Sequence, residues 1–267
     1  MIPNVLSIAG SDPSGGAGIQ ADVKSISANG GYAMAAITAL TVQNTRGVRR
    51  VELIDPDLVA DQITAVFDDI RVDAVKIGML GTAAIARTVA DVLRRREVPV
   101  VLDPVMVAKG GDRLLAGEAV AALREGLLPL CTVVTPNLPE AADLLGEPEA
   151  TDRAGMEAQA ARLLALGPKA VLLKGGHLQG PDSPDLFASH DGLRWIDGPR
   201  VTTPNTHGTG CTLASALATW LARNGDPFAA SVAAKTYTAS AIAGAGALTV
   251  GHGHGPTDHF PMLRTKQ

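Results

Sequence analysis

The chain has 267 residues, 46% hydrophobic but only 3% aromatic, so any core must be built from Ala, Val, Leu and Ile. Net charge is −4, with no basic run beyond Arg94-Arg95-Arg96 at the end of an amphipathic segment, and no nucleic-acid partner is expected. No uncharged apolar stretch can span a bilayer, Met1-Ile2-Pro3-Asn4 lacks a signal peptide's positive region, and two cysteines make no disulfide framework; the cytoplasm is expected.

Strand and helix patterns alternate nearly throughout. Val5 to Ala9 is a short apolar strand, and a glycine loop then opens a helix from about Ile19 to Ala28, stopped by Gly30-Gly31. Ala35 to Val42 reads as a second strand. Asp55-Pro56 caps a helix whose Val59, Ile63, Val66, Phe67 and Ile70 share one face. Val72 to Ile77 is a strand, Thr82 to Arg96 a helix, Val98 to Leu102 a strand, and a helix near Glu118 to Glu125 precedes the strand Thr132 to Val134. Pro139 to Leu145 and Met156 to Leu166 are helical and Ala170 to Leu173 is a strand. Asp191-Gly192 then joins Leu186–Ala188 to Leu193–Ile196 as a hairpin. Pro227 to Leu248 is a last long helix.

This alternation predicts a mainly parallel α/β sheet, covered by helices on both faces, with the hairpin as an antiparallel addition and residues 1–267 as one domain. In such sheets ligands bind beyond the carboxyl ends of the strands. Polar and glycine residues gather there: Gly10 to Gly18, Gln43-Asn44, Gly78-Met79, Asp103, Thr135-Pro136-Asn137 and Lys174-Gly175-Gly176.

The most informative stretch is Thr202 to Thr212. Pro204, Gly208 and Gly210 break a helix there, and Asn205 and Thr206 are turn and cap residues; from Leu213 to Leu221 helical spacing takes over. A glycine loop thus runs into a helix N-terminus, where unpartnered amides and a positive dipole seat an anion, with Cys211 at its edge. Gly16-Ala17-Gly18-Ile19-Gln20-Ala21 fits a dinucleotide fingerprint. Against that reading, Ser11 to Gly15 separate it from the strand end, and Thr41-Val42-Gln43 stands where a ribose-binding acid belongs. No Walker A loop is present.

Asn137 and Glu140, three apart at a helix start, suit either a hydrated Mg²⁺ or ordinary capping. Lys174 suits a phosphate or a solvated strand end. His252-Gly253-His254, Asp258 and His259 imitate a metal site, but the surrounding glycines favour a structural or substrate-closing tail.

Several segments, in one order across the chain, resemble the hydroxymethylpyrimidine/phosphomethylpyrimidine kinases of thiamine biosynthesis. They are Ala9 to Asp22, Thr38 to Thr45, Lys76 to Leu80, Leu102 to Met106, Thr135 to Glu140, Lys174 to His177 and Asn205 to Thr212. Gly110-Gly111 after Lys109, where the family often has Ser-Gly, is a minor departure. The resemblance implies the ribokinase-like three-layer α/β/α fold, use of ATP and Mg²⁺, a small-molecule substrate and a homodimer. It implies Gly208, Thr209, Gly210 and Cys211 as an anion hole, with Cys211 where most ribokinase relatives carry a catalytic aspartate. Gln43 would bond the aminopyrimidine edge, and Gly10, Ala17, Asp22, Met79 and Val105 would shape the pocket. Asn137, Lys174 and Thr209 would serve ATP, and Glu140 and Asp103 the metal. The nearest alternative is a pyridoxal or pyridoxine kinase, or a bifunctional enzyme, using the same Gly-Thr-Gly-Cys loop.

A helix dipole worth at most about 2 kcal/mol would draw a thiol from about 8.5 toward about 7. On that basis Cys211 is expected to carry a substantial thiolate fraction at neutral pH, offset by bound ATP, and to be a weak base.

Overall fold

The computed structural model describes residues 1–106 and 117–264, so Lys109 and Gly110-Gly111 lie outside the described residues. The strands are β1 (Asn4–Ala9), β2 (Tyr32–Ile37), β3 (Ala39–Asn44), β4 (Gly47–Leu53), β5 (Ala74–Ile77), β6 (Val100–Leu102), β7 (Val133–Val134), β8 (Ala170–Lys174), β9 (Asp185–Ser189) and β10 (Gly192–Ile196). The helices are α1 (Gly18–Ala28), α2 (Pro56–Asp69), α3 (Ala83–Leu93), α4 (Gly117–Ala122), α5 (Leu138–Leu145), α6 (Arg153–Leu164), α7 (Thr209–Asn224) and α8 (Pro227–Gly244).

Eight strands form one sheet in the order β10-β9-β8-β7-β6-β5-β1-β2. The pairings from β2 to β8 are parallel, and β9 and β10 add an antiparallel edge. Alternate residues on each strand feed two cores, as the period of two requires. Leu6, Ile8, Val75, Ile77, Leu102 and Leu173 pack with α2, α3, α5 and α6. Val5, Ala74, Val101, Val133 and Leu172 pack with Ile26 of α1, Leu213 and Leu217 of α7 and Ala234 of α8. Burial on both faces explains why these strands read as continuous apolar runs.

Chain direction across the sheet reverses at β1, which has β2 on one side and β5 on the other. The loops after β1 and β5 therefore open into the crevice that such a reversal creates. The expected second strand proves to be two. Thr38 ends β2 by donating its hydroxyl to Met79 O, and the chain then leaves the sheet, so that β3 pairs only with β4 in a separate antiparallel ribbon. Gln43 therefore lies on this ribbon and not at a sheet-strand end.

Candidate active site

The head of α7 supplies the anion seat. Gly208 caps the helix in the left-handed region (φ +78°), and a Cβ there would overlap the Gly16 carbonyl oxygen, so only glycine fits. Helix α7 starts at Thr209, earlier than its Leu spacing suggested, and Thr206 acts through its carbonyl, accepting from Thr209 N and Oγ1. The amides of Gly210 and Cys211 fall in the first turn, where no helical carbonyl lies four residues behind them.

Three other element ends converge on this turn. A Cβ at Gly210 would stand 3.0 Å from Asp103 Oδ2 and 3.4 Å from Lys174 Nζ. Lys174, ending β8, lies 3.0 Å from Asp103 Oδ1 and 3.7 Å from Glu140 Oε2. Asn137 and Glu140 form a reciprocal capping box on α5, so the capping reading holds, and the box also fixes the carboxylate beside Lys174. Burial pushes Glu140 up to about 7, opposed by Lys174 and reinforced by Asp103. Burial disfavours the Lys174 charge, but Asp103 and Glu140 outweigh it and raise its pKa, so the lysine stays charged.

A cleft of about 660 Å³ joins this end to a second one lined by Gly10, Ala17, Gln43, Met79 and Val105. Thr41, Asp12 and His207 line it too. Thr41 Oγ1 donates to Ser11 O at 2.8 Å, tying ribbon to glycine loop. The tail holds the ribbon's turn, since His254 N donates to Thr45 O (2.8 Å) and Gly253 N to Thr45 Oγ1 (3.2 Å). Among the described residues no group of three or more His, Cys, Asp or Glu forms a metal cluster, and His259 is instead buried against Thr212 Oγ1 at 3.2 Å.

A sequence profile for phosphomethylpyrimidine kinase matches residues 12–258. A hydroxymethylpyrimidine/phosphomethylpyrimidine kinase of Escherichia coli is 52% identical over 258 residues, covering 96% of this chain and 97% of that protein. The chain belongs to the phosphomethylpyrimidine kinase family. Its fold agrees: phosphomethylpyrimidine kinase from Clostridium difficile superposes with a TM-score of 0.80 at 40% identity, covering 90% of this chain and 99% of that one. Pyridoxal kinase from Bacillus subtilis, solved as an ADP complex, gives 0.90 at 35% identity, covering 98% and 99%. The three-layer ribokinase-like architecture is thus that of a vitamin kinase.

Within this family framework, two expectations need correction. Asp22 does not line the cleft. It is fully buried in α1, accepting from Lys76 (2.8 Å to each oxygen), Ser7 (2.6 Å) and Ser215 (2.8 Å), the pairing that a buried carboxylate requires. Cys211 is no thiolate either. Burial pushes its thiol up to about 12, Lys76 opposes this, and Asp22 and Asp103 add to it. Burial and these two carboxylates work against the thiolate that the helix head alone would favour.

Gly10, Ala17, Gln43, Met79, Val105, Asn137, Lys174, Glu140, Asp103 and the Gly208–Cys211 turn all border the one cleft. Asp12, Thr41 and His207 escaped sequence reasoning as individual side chains. Asp12 was hidden in a Pro-Ser-Gly turn, and His207 among the glycines it precedes; the alternation of Thr41 and Gln43 was the available signal.

Proposed function

We infer that this chain is an ATP-dependent kinase that phosphorylates 4-amino-5-hydroxymethyl-2-methylpyrimidine and then its monophosphate, giving the diphosphate for thiamine biosynthesis. The observation that carries this reading is one cleft with a planar amide, Gln43, at one end and the α7 amides with Lys174 and Asp103 at the other. The family membership and the kinase names of both kinds of relative support it. So does the ADP complex of the Bacillus subtilis pyridoxal kinase.

Phosphoryl transfer asks for alignment and charge neutralisation more than covalent help. Gln43, flanked by Met79 and Val105, would hold the pyrimidine so that its hydroxymethyl group faces the head of α7. The Gly210 and Cys211 amides would receive the transferred group, and Lys174, already charged, would neutralise it. Asn137 and Thr209 border the space for the ATP phosphates. The protonated Cys211 thiol would pack beside the acceptor, not deprotonate it. The phosphate ester of the second step is already ionised and needs no base.

Mg²⁺ fits this donor set. It is held by one or two carboxylates together with substrate phosphates and water, and Asp103 and Glu140 flank the phosphate end. When bound, the metal would neutralise charge on the ATP phosphates. The continuous eight-stranded sheet supports one kinase domain. Exposed Leu40 and Val42 on the outer face of the ribbon support a homodimer through it. Two unpaired cysteines, Cys131 and Cys211, suit the cytoplasm, and among the described residues no helix is long and apolar enough to cross a membrane.

The test is ATP-dependent phosphorylation of hydroxymethylpyrimidine and pyridoxal side by side, resolving mono- and diphosphate products. Pyridoxal is included because of the TM-score of 0.90 with a pyridoxal kinase. Both pyrimidine phosphates should form, with the higher kcat/KM on the pyrimidine. Preference for pyridoxal, or no transfer, would overturn the assignment.

A further inference from the structure

Between β8 and β9 the chain makes a loop without helix or strand, and its first residues after Lys174 border the cleft through Gly176 and His177. The loop's start is fixed by packing. A Cβ at Gly175 would overlap the Pro184 carbonyl oxygen, and Gly175 N donates to buried Asp185 Oδ1 at 3.0 Å. At Gly176 that constraint ends, since a Cβ there would meet only Ser183 Oγ at 3.6 Å, an ordinary contact. A glycine with open space around it visits many backbone settings, so packing alone does not hold the Gly176–His177 peptide.

Arg200, beyond the end of β10, does hold it. Its Nη1 donates to Gly176 O (2.7 Å), its Nε to Gly180 O (2.9 Å), and its Nη2 to both Leu178 O (2.5 Å) and Asp182 O (3.0 Å). Four of the five guanidinium protons thus go to four carbonyls of one loop, one proton to each. The backbones are tied as well, Arg200 N donating to Pro181 O at 2.8 Å and Ser183 N to Gly198 O at 2.9 Å. Gly176, Gly180 and Asp182 are exposed, where water is the alternative partner, so the convergence orders the loop and does not rescue buried groups.

We propose that Arg200 is a positioning residue for ATP: by gathering the carbonyls of residues 176–182 it turns the Gly176 carbonyl away from the phosphate end of the cleft. The inference rests on the reading of the α7 head, with Lys174 and Asp103, as the end that holds the ATP phosphates. Arg200 itself lies outside the cleft lining, so a carbonyl drawn to it is drawn out of the cleft. The oxygen is the negative end of the peptide dipole, and a flipped Gly176–His177 peptide would set it against a polyanion. Without the guanidinium the loop is ordered anew at each binding event, which weakens nucleotide affinity roughly three- to tenfold. Lysine is no substitute, because its donors radiate from one atom whereas the planar fork spreads them over three nitrogens.

The experiment is calorimetric titration of the full chain with the ATP analogue AMP-PCP and Mg²⁺, without pyrimidine, for the parent, Arg200→Ala and Arg200→Lys, at about 0.05 and 0.5 M salt. Steady-state kinetics of the same proteins accompanies it. Arg200→Ala should weaken analogue binding and raise the KM for ATP roughly three- to tenfold, while kcat and the KM for hydroxymethylpyrimidine stay within about twofold. Arg200→Lys, which keeps the charge, should lose about as much, and both losses should persist at high salt because ordering is not screened. Parent affinity in both variants, full recovery in Arg200→Lys, a loss that vanishes at high salt, or equal rises in both KM values would overturn the positioning role while leaving the phosphate end as read. No binding of the analogue to the parent would overturn that reading and the proposal together. Should Arg200→Ala fail to fold, Arg200→Lys decides the question alone.

Discussion

Lys76 of β5 and Asp22 of α1 form an ion pair with no exposed surface on either side chain. Lys76→Met removes the ammonium and keeps most of the stem volume, leaving Asp22 with only the Ser7 and Ser215 hydroxyls. A buried carboxylate that loses its cation costs several kcal/mol, but it can escape by taking a proton from water. From an ordinary aspartate value near 3.9, three pH units at about 1.4 kcal/mol each cap the penalty at about 4 kcal/mol at pH 7. At pH 5 the cap is about 1.5 kcal/mol, and near pH 4 it vanishes. The sign follows from proton counting. The folded variant keeps a proton that its unfolded chain gives up, so its deficit against the parent grows as pH rises from about 4 to 7. Urea unfolding of the parent, Lys76→Met and Lys76→Met/Asp22→Asn between about pH 4.5 and 7.5 reads this directly. The single variant should lose about 3–4 kcal/mol at pH 7 and about 1 kcal/mol at pH 5, and the double variant's deficit should not vary with pH. A single-variant deficit independent of pH would refute the reasoning.

Two further outcomes follow from Cys211 on the cleft wall and from buried His259. Cys211→Ala should slow phosphorylation of the alcohol and of the phosphate ester by similar factors, below about tenfold, because the thiol is protonated. A base lost from the alcohol step alone would cost about a hundredfold or more there, and separate assays of the half-reactions distinguish the two. Burial, with Lys24 nearby, holds His259 down to about 4, so the fold carries it neutral. As pH falls below about 6.5 the unfolded chain takes the proton first, and stability is lost down to about pH 4, amounting to about 2 kcal/mol by pH 5. Urea midpoints should show a shallower acid slope in His259→Gln; an identical slope would rule His259 out.

The parallel sheet and both helical layers were legible because strands buried on two faces are written as unbroken apolar runs, such as Val100-Val101-Leu102, between helices with one apolar stripe. The antiparallel β9–β10 edge was legible from Asp191-Gly192. The ribbon was not, because Ala35 to Val42 is continuously β-prone and nothing local marks Thr38 as the exit from the sheet; its hydroxyl bond to Met79 O is a tertiary fact. The Asn44-Thr45-Arg46-Gly47 turn between two short runs holding Val42 and Val48 was the missed local signal. The phosphate end was readable from glycines before a helix. Asp22 was misplaced because a carboxylate in a binding motif looks the same in sequence whether it faces the cleft or a buried lysine. The carboxylates that help raise the Cys211 thiol, Asp22 and Asp103, lie far along the chain, and a local dipole argument omits them.

The central claim is a division of labour within one cleft, with ring recognition at Gln43 and phosphate chemistry at the head of α7. Steady-state kinetics of Gln43→Ala, varying each substrate in turn, tests it most directly. The KM for hydroxymethylpyrimidine should rise roughly tenfold while the KM for ATP stays within about twofold. An unchanged pyrimidine KM, or a parallel rise in both, would contradict it.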